Sequence, residues 1–168
     1  MANTYILIAS STVGSGGAAT IDFTSIPATY TDLLLSVSLR STEATVETNA
    51  TISFNGSSAN KSARTLYGNG SNANSYAYGS EIYLWLSGAN STSSTFGNSQ
   101  YYISNYSSSN NKSISIDSTS ENNATLVAQS LSAGLWSDSA AITSITITCG
   151  GGNFVQYSTA YLYGIKNS

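Results

Sequence analysis

The sequence predicts an all-β fold of about eight to ten short antiparallel strands, arranged as a sandwich or a barrel. Apolar and polar residues alternate with a period of two in segment after segment. Between these segments lie turns rich in glycine, asparagine and serine, which tolerate positive φ. A chain of 168 residues is expected to form one domain.

The clearest strand lies in the segment DLLLSVSLRS, at residues 32–41. Its apolar face is expected to be buried and consists of Leu33, Leu35, Val37 and Leu39. The same alternation predicts further strands with shared faces that hold Ile21 and Phe23, Ile52 and Phe54, Ile82, Leu84 and Leu86, Ile114 and Ile116, and Ile145, Ile147 and Cys149. Cys149 is interpreted as a small buried hydrophobe rather than a reactive thiol.

Turns are predicted at four glycine-containing segments, which are 14–17, 55–58, 67–74 and 149–153. No long helix is predicted. The best helical candidates are one turn within 26–32 and another within 121–136, and the second segment fits a strand followed by a loop equally well. Asp32 is expected to cap or close the turn after the segment ATYT.

The composition argues against most kinds of catalytic site and metal site. Histidine is absent and cysteine occurs once, which excludes a Ser-His-Asp triad, histidine metal sites and thiolate zinc sites, so no cofactor is expected. The acidic residues occur in no motif that implies a catalytic pair, and a non-enzymatic role is favoured. Charged residues make up 8% of the chain and the basic ones form no run, so binding to nucleic acid or to a membrane surface is not predicted. No basic segment precedes an apolar stretch at the N-terminus, so no secretory signal is predicted.

Aromatic residues are the most informative group, because tyrosine combines a large apolar area with a polar tip and is enriched at interfaces. The sequence contains 12 Tyr, 4 Phe and 2 Trp. The candidate interface or ligand residues are Tyr67, Tyr76, Tyr78, Trp85, Tyr101, Tyr102, Tyr106 and Trp136. For the two tryptophans, packing in the core or at a sheet edge is the simpler interpretation.

Five segments resemble recurring parts of small virion proteins of tailed bacteriophages: GAATIDFTSIPATYTDLLLSVSLRS (17–41), ISFNGSS (52–58), RTLYGNGS (64–71), GLWSDSAAITSITIT (134–148) and NFVQYSTAYLYGIKN (153–167). The similar features are the corner at 25–31, the turn at 54–56, the GLW segment and the terminal LYGI. The resemblance implies one β-sandwich domain over residues 1–168, of jelly-roll type and associated with a capsid or a tail. It supplies no catalytic residue. The stretch 72–112 is the least similar and is expected to hold what is particular to this member.

The function implied by the resemblance is that of a capsid decoration (cement) protein. Such a protein is made in the bacterial cytoplasm and binds the outer surface of the major capsid protein lattice, here with a homotrimer expected from capsid symmetry. The alternative is a tail-tip or fibre-head module that binds host glycans through the aromatic loops at 67–106. A polysaccharide hydrolase, with Glu81 and Glu121 as the best acids, is the least favoured reading.

The last predicted strands pose one open question. Ile145, Ile147, Leu162 and Ile165 are expected to fill the sandwich. Tyr157, Tyr161 and Tyr163 are expected to present a neutral aromatic face, either to the second sheet or to a neighbouring subunit.

Overall fold

The computed structural model describes residues 4–121 and 128–166, and these residues form two β-sheets and no helix. The strands are β1 (Tyr5–Thr12), β2 (Thr20–Phe23), β3 (Asp32–Leu39), β4 (Glu47–Phe54), β5 (Lys61–Gly68), β6 (Ala73–Tyr78), β7 (Tyr83–Ser87), β8 (Gly97–Ile103), β9 (Lys112–Thr119), β10 (Gln129–Trp136), β11 (Ile145–Cys149) and β12 (Thr159–Ile165). Neighbouring strands are antiparallel throughout. The two sheets enclose one apolar core, so the predicted all-β sandwich is confirmed.

Eight of the strands pair in the nested order of a jelly roll. The first strand, β1, pairs with β12, and β2 pairs with β11. In the same way β3 pairs with β8, and β4 pairs with β7. The pairs associate into the arrays β1-β12-β3-β8 and β2-β11-β4-β7.

The remaining four strands form two hairpins inserted into this arrangement. Strands β5 and β6 pair with each other between β4 and β7 in the chain, and β9 and β10 pair between β8 and β11. Both hairpins extend the first array, which becomes an eight-stranded sheet of order β1-β12-β3-β8-β9-β10-β5-β6. The second array stays a four-stranded sheet. The expected number of about eight to ten strands is therefore too low, because twelve occur in the described residues.

The core forms where alternate residues of both sheets point inward. The predicted apolar face of β3 is confirmed, since its leucines and valine are almost completely buried. The predicted faces of the other strands are buried as well, namely Ile21 and Phe23, Ile52 and Phe54, Ile82, Leu84 and Leu86, Ile114 and Ile116, and Ile145 and Ile147. Cys149 differs from this pattern. It is only half-buried, at the end of β11, and its Sγ lies 3.0 Å from the Gly151 carbonyl oxygen.

The loops agree with the turn chemistry but not with the helical candidates. Asn55 and Gly56 have φ values of 53° and 72°, as a tight hairpin turn requires. The segment 26–32 forms turns and no helix. In the second helical candidate, residues 129–136 form β10, whereas residues 122–127 lie outside the described residues. None of the described segments is a helix that could span a bilayer.

Asp32 has a structural role, but not the predicted one. Its buried carboxylate accepts hydrogen bonds from the Tyr102 hydroxyl at 2.6 Å and from the Asn105 backbone N–H at 2.8 Å. Asp32 therefore fixes the turn that follows β8, rather than closing the turn that precedes β3.

Candidate functional site

Three of the eight candidate aromatic residues are buried in the core and offer no surface to a partner. An interface or ligand role is therefore wrong for Tyr101 and Tyr106, whereas Trp136 packs in the core, as its simpler interpretation had it. Tyr101, Tyr106 and Trp136 expose almost no surface. Tyr101 and Tyr102 are neighbours on β8, so their side chains point to opposite sides of the sheet, and Tyr101 points inward. The Trp136 ring packs on Phe54, with 5.2 Å between the ring centroids.

Tyr106 holds the corner that precedes β3. Its hydroxyl donates a hydrogen bond to the Pro27 carbonyl and accepts one from the Tyr30 N–H at 3.4 Å. Burial raises the pKa of Tyr106, which keeps the phenol protonated and able to donate. The corner at 25–31, one of the features on which the resemblance depends, is thus fixed from inside the protein.

Four other candidates meet where the β5–β6 hairpin contacts the edge strand β7. Between ring centroids, Tyr67 lies 5.3 Å from Trp85 and 6.1 Å from Tyr76. Tyr76 lies 6.2 Å from Tyr78, and Tyr78 lies 4.9 Å from Tyr83. We call these five residues the aromatic cluster. Tyr83 was not among the candidates. It lies two residues before Trp85 on the same strand face, and this spacing could have predicted that it joins the cluster.

Glu47 anchors the aromatic cluster from β4. The Tyr67 hydroxyl donates a hydrogen bond to Glu47 Oε2 at 3.1 Å. Burial, together with the nearby carboxylate, raises the pKa of Tyr67 to about 12. Burial also raises the pKa of Glu47, while the hydrogen bond from Tyr67 acts in the opposite direction. The phenol therefore stays neutral and fixed in place at ordinary pH.

The register of the hairpin shows which side of the sheet Tyr76 and Tyr78 occupy. Tyr76 pairs with Thr65, and Tyr78 pairs with Ala63, and both partners are buried on the inner side. Tyr76 is nevertheless 41% exposed, because β6 is the last strand of its sheet and is covered only in part by β7. The aromatic cluster thus opens to solvent on the inner side of the sheet edge.

The outer face of the eight-stranded sheet carries exposed apolar side chains at both ends. At one end, Leu66 and Leu131 pair across β5 and β10 and are 63% and 54% exposed. Open grooves of about 490 and 450 Å³ lie on either side of this pair. We call this end, with Ala133 and Leu135, the hairpin patch.

The other end of the outer face lies at β1. Here the exposed Tyr5 and Leu7 adjoin Leu34 and Tyr163, and a groove of about 230 Å³ lies between Tyr5, Leu34 and Tyr163. We call these four residues the edge patch. The candidate Tyr102 lies beside it, half-exposed, with its hydroxyl on Asp32.

A polar row runs across the face from Leu131 of the hairpin patch, and its first two residues, Asp117 and Gln100, lie on the strands between the two patches. Asp117, Gln100, Ser36 and Tyr161 lie in register across β9, β8, β3 and β12. Asp117 accepts a hydrogen bond from the Gln129 side chain at 2.9 Å. Apart from Asp117 and Arg64, the exposed strand positions of this face are uncharged. The outer face is therefore neutral along most of its width.

Three of the five basic residues are buried and cannot serve a partner. The Lys61 Nζ donates to the Ile52 carbonyl at 2.7 Å and to Glu81 at 2.8 Å. The Lys112 side chain donates to the carbonyls of Ser108 and Asn110. The Arg40 guanidinium likewise donates to backbone carbonyls of the loop at 89–95.

Only two basic residues, Arg64 and Lys166, remain exposed. The surface is thus even poorer in cations than the sequence indicates.

The sequence left open whether Tyr157, Tyr161 and Tyr163 face the second sheet or a neighbouring subunit, and their positions answer this in part. Tyr161 and Tyr163 point to the outer face, away from the second sheet, where they pair with Ser36 and Leu34. Tyr157 is exposed in the preceding turn. Ile145, Ile147 and Leu162 belong to the core as expected, while Ile165 is buried outside the core cluster.

Among residues 4–121 and 128–166, no group of three or more acidic or cysteine side chains is arranged to hold a metal ion. Comparison of the chain with protein-family models, with curated proteins and with solved structures found no match. The function of this protein is therefore inferred from its own surfaces, which are the neutral outer face and the aromatic cluster.

Proposed function

We propose that this chain is a non-enzymatic structural protein of a bacteriophage virion, and that it decorates the outer surface of the capsid. The observation that carries the proposal is the outer face of the eight-stranded sheet, which is broad, nearly uncharged and lined with exposed leucines and tyrosines. A face of this kind binds by shape, apolar burial and neutral hydrogen bonds. Such contacts depend little on ionic strength, because few charges are present to be screened.

The hairpin patch is the proposed contact with the major capsid protein. Leu66 and Leu131 stand between two open grooves, so a partner can bury both side chains and fill the space around them. Apolar anchors that enter complementary pockets contribute most of the free energy of association at protein interfaces.

The edge patch is the proposed contact between copies in a homotrimer. It is smaller than the hairpin patch, and Asp117 and Gln100 lie on the two strands between them. Two separate apolar patches suit two partners, the capsid lattice and a neighbouring copy. The threefold symmetry is taken from the symmetry of capsids.

The resemblance to small virion proteins supports the same proposal through the fold. Its corner at 25–31 is held by Tyr106, and the glycine of its terminal LYGI segment, Gly164, lies under the Tyr30 ring. These features stabilise the jelly roll, and none of them forms part of a catalytic site. The resemblance thus concerns a scaffold, on which the patches are the variable part.

Cryo-electron microscopy of the virion that carries this chain tests the proposed location. Density for the chain at threefold positions on the outer capsid is expected. Density only at the tail would overturn the decoration role, and absence of the chain from purified particles would overturn a virion role altogether.

A binding assay tests the proposed contact. Capsids that lack this protein are mixed with purified chain, sedimented and assayed for bound protein. The double variant Leu66→Ser with Leu131→Ser is expected to lose binding, whereas Thr148→Ala, an exposed change on the other sheet, is expected to bind normally. Equal binding by both variants would show that the hairpin patch is not the contact.

A further inference from the structure

We propose that Tyr76 and Tyr78 form a stacking platform that binds a neutral glycan. The two residues lie two positions apart on β6, so their side chains share one face of the strand. Their ring planes differ by 30° and their centroids are 6.2 Å apart. Two neighbouring, roughly parallel rings, of which Tyr76 is 41% exposed, offer apolar surface to the C–H face of a sugar ring.

The other members of the aromatic cluster hold this platform in place. Tyr67 contacts Tyr76 at an interplanar angle of 68°, and Tyr83 contacts Tyr78 at 76°. Tyr67 in turn packs on Trp85 and donates its hydroxyl to Glu47. The platform rings are therefore ordered before a ligand arrives. Binding then costs little side-chain entropy, which favours affinity for a weakly held ligand such as a sugar.

The groups around the platform select the class of ligand. Asn74 lies on the same face of β6 as Tyr76 and is exposed, so its amide is available to sugar hydroxyls. The charged groups on this side are the carboxylates of Glu47 and Glu81, and the latter is paired with buried Lys61. A sialylated or uronic acid glycan would meet negative charge here and no free cation, whereas a neutral glycan meets neither obstacle.

The platform goes beyond the proposed decoration role, because it lies on the opposite side of the sheet from the hairpin patch. Tyr76 pairs with the inward-pointing Thr65, and the neighbouring Leu66 points outward. A copy that is docked through Leu66 thus keeps its platform open to solvent. Sugar binding by a docked copy would allow a decorated particle to adhere to a glycan-coated surface.

Glycan binding is measured on an array that carries neutral hexose and N-acetylhexosamine oligosaccharides beside their sialylated counterparts. Affinities of the bound sugars are then measured by calorimetry. The full chain is expected to bind neutral oligosaccharides and to reject the sialylated ones. Tyr76→Ala is expected to weaken binding by roughly tenfold or more, and Tyr76→Phe is expected to bind almost normally, because the stacking surface is kept.

The matched control is Tyr161→Ala, which removes an exposed tyrosine from the outer face and is expected to leave binding unchanged. Thermal melts of all variants separate lost binding from lost folding, and the exposure of Tyr76 indicates that its variants fold. Absence of any neutral sugar from the bound set would overturn the proposal. Equal losses of binding in Tyr76→Ala and Tyr161→Ala, or a preference for the sialylated oligosaccharides, would overturn it as well.

The proposed capsid contact and the proposed glycan site can be tested independently of each other. The Leu66→Ser, Leu131→Ser variant is expected to lose capsid binding and to keep its affinity for the glycan. Tyr76→Ala is expected to show the opposite pattern. A variant that lost both activities would show that one surface, and not two, binds both partners.

Discussion

The ring of Tyr30 lies directly on the backbone of Gly164, so that a methyl group at Gly164 would overlap the ring. Tyr30 belongs to the corner before β3, and Gly164 lies on β12. This contact joins the corner at 25–31 to the last part of the described chain, together with the hydrogen bond of 2.8 Å from the Thr31 N–H to the Ile165 carbonyl. It also explains why a glycine, which weakens most strands, occupies this position.

Gly164→Ala is expected to lower the free energy of unfolding by about 1–3 kcal/mol, because the added Cβ displaces the Tyr30 ring. Chemical denaturation of the variant measures the change. Adding Tyr30→Ala removes the overlap, so the double variant is expected to lose less than the sum of the single changes. Gly79→Ala, where a Cβ meets no atom within 4 Å, is the control. Additive losses would argue that the overlap does not set the stability of this corner.

Core truncations test the assignment of strand faces. Leu35→Ala and Ile147→Ala are each expected to cost about 2–5 kcal/mol, because both side chains are fully buried between the sheets. Leu131→Ala on the outer face is expected to change the stability of the isolated chain by less than about 0.5 kcal/mol. Thermal melts in which the three variants behave alike would contradict the division into inner and outer faces.

Arg40 is expected to stabilise the loop at 89–95. Its guanidinium donates to the carbonyls of Thr92 and Thr95 at 2.9 Å each, and to Ser91 Oγ at 2.8 Å. Arg40→Met leaves these acceptors without their donor and is expected to cost about 3 kcal/mol. Limited proteolysis should then cleave the loop faster than in the parent chain. Arg64→Met, an exposed change on β5, should leave both stability and cleavage rate unchanged.

Tyr102 is expected to resist ionisation in alkaline solution. Its hydrogen bond to Asp32, assisted by burial, raises the pKa from the ordinary 10.0 to about 12. Since the folded-state pKa lies above the unfolded one, this tyrosine contributes stability that is complete below pH 10.0 and is lost as the pH rises toward about 12. The Tyr102→Phe difference in tyrosinate absorbance identifies its titration. Asp32→Asn should move that titration down, and an unchanged curve would contradict the role of the carboxylate.

The alternating pattern predicted β2, β3, β4, β7 and β11 well, because their inward positions include large apolar residues. It missed β5, and it left β10 open between helix and strand, for a physical reason. The inward residues of β5 include Lys61 and Thr65, and those of β10 include Ser130 and Ser132, so that hydrophobicity does not alternate there. Thr65 and Ser132 satisfy each other by a buried hydrogen bond of 2.8 Å. Such a pair becomes recognisable only when the strands are already adjacent.

The candidate site was predicted in part. The stretch 67–85 supplied four members of the aromatic cluster, because tyrosine-rich segments are typical of binding surfaces. Tyr101 and Tyr106 were misassigned, since their burial depends on which sheet covers them. For Tyr101 one signal existed, because it and Tyr102 are adjacent on a strand and cannot share a face. The burial of Lys112 could not have been foreseen, since its partners are backbone carbonyls brought together by folding.

The nested pairing of strands has a consequence for biosynthesis. Strand β12 lies between β1 and β3, although all of the other described strands precede it in the chain. While the ribosome is still making residues 159–165, β1 has no neighbour and β3 has one open edge that displays Leu33 and Leu35. The sandwich therefore closes only after β12 has emerged from the exit tunnel, through contacts between the most distant parts of the sequence. Until then the nascent chain presents an unpaired, leucine-rich strand edge, the kind of edge that favours association between incompletely folded chains.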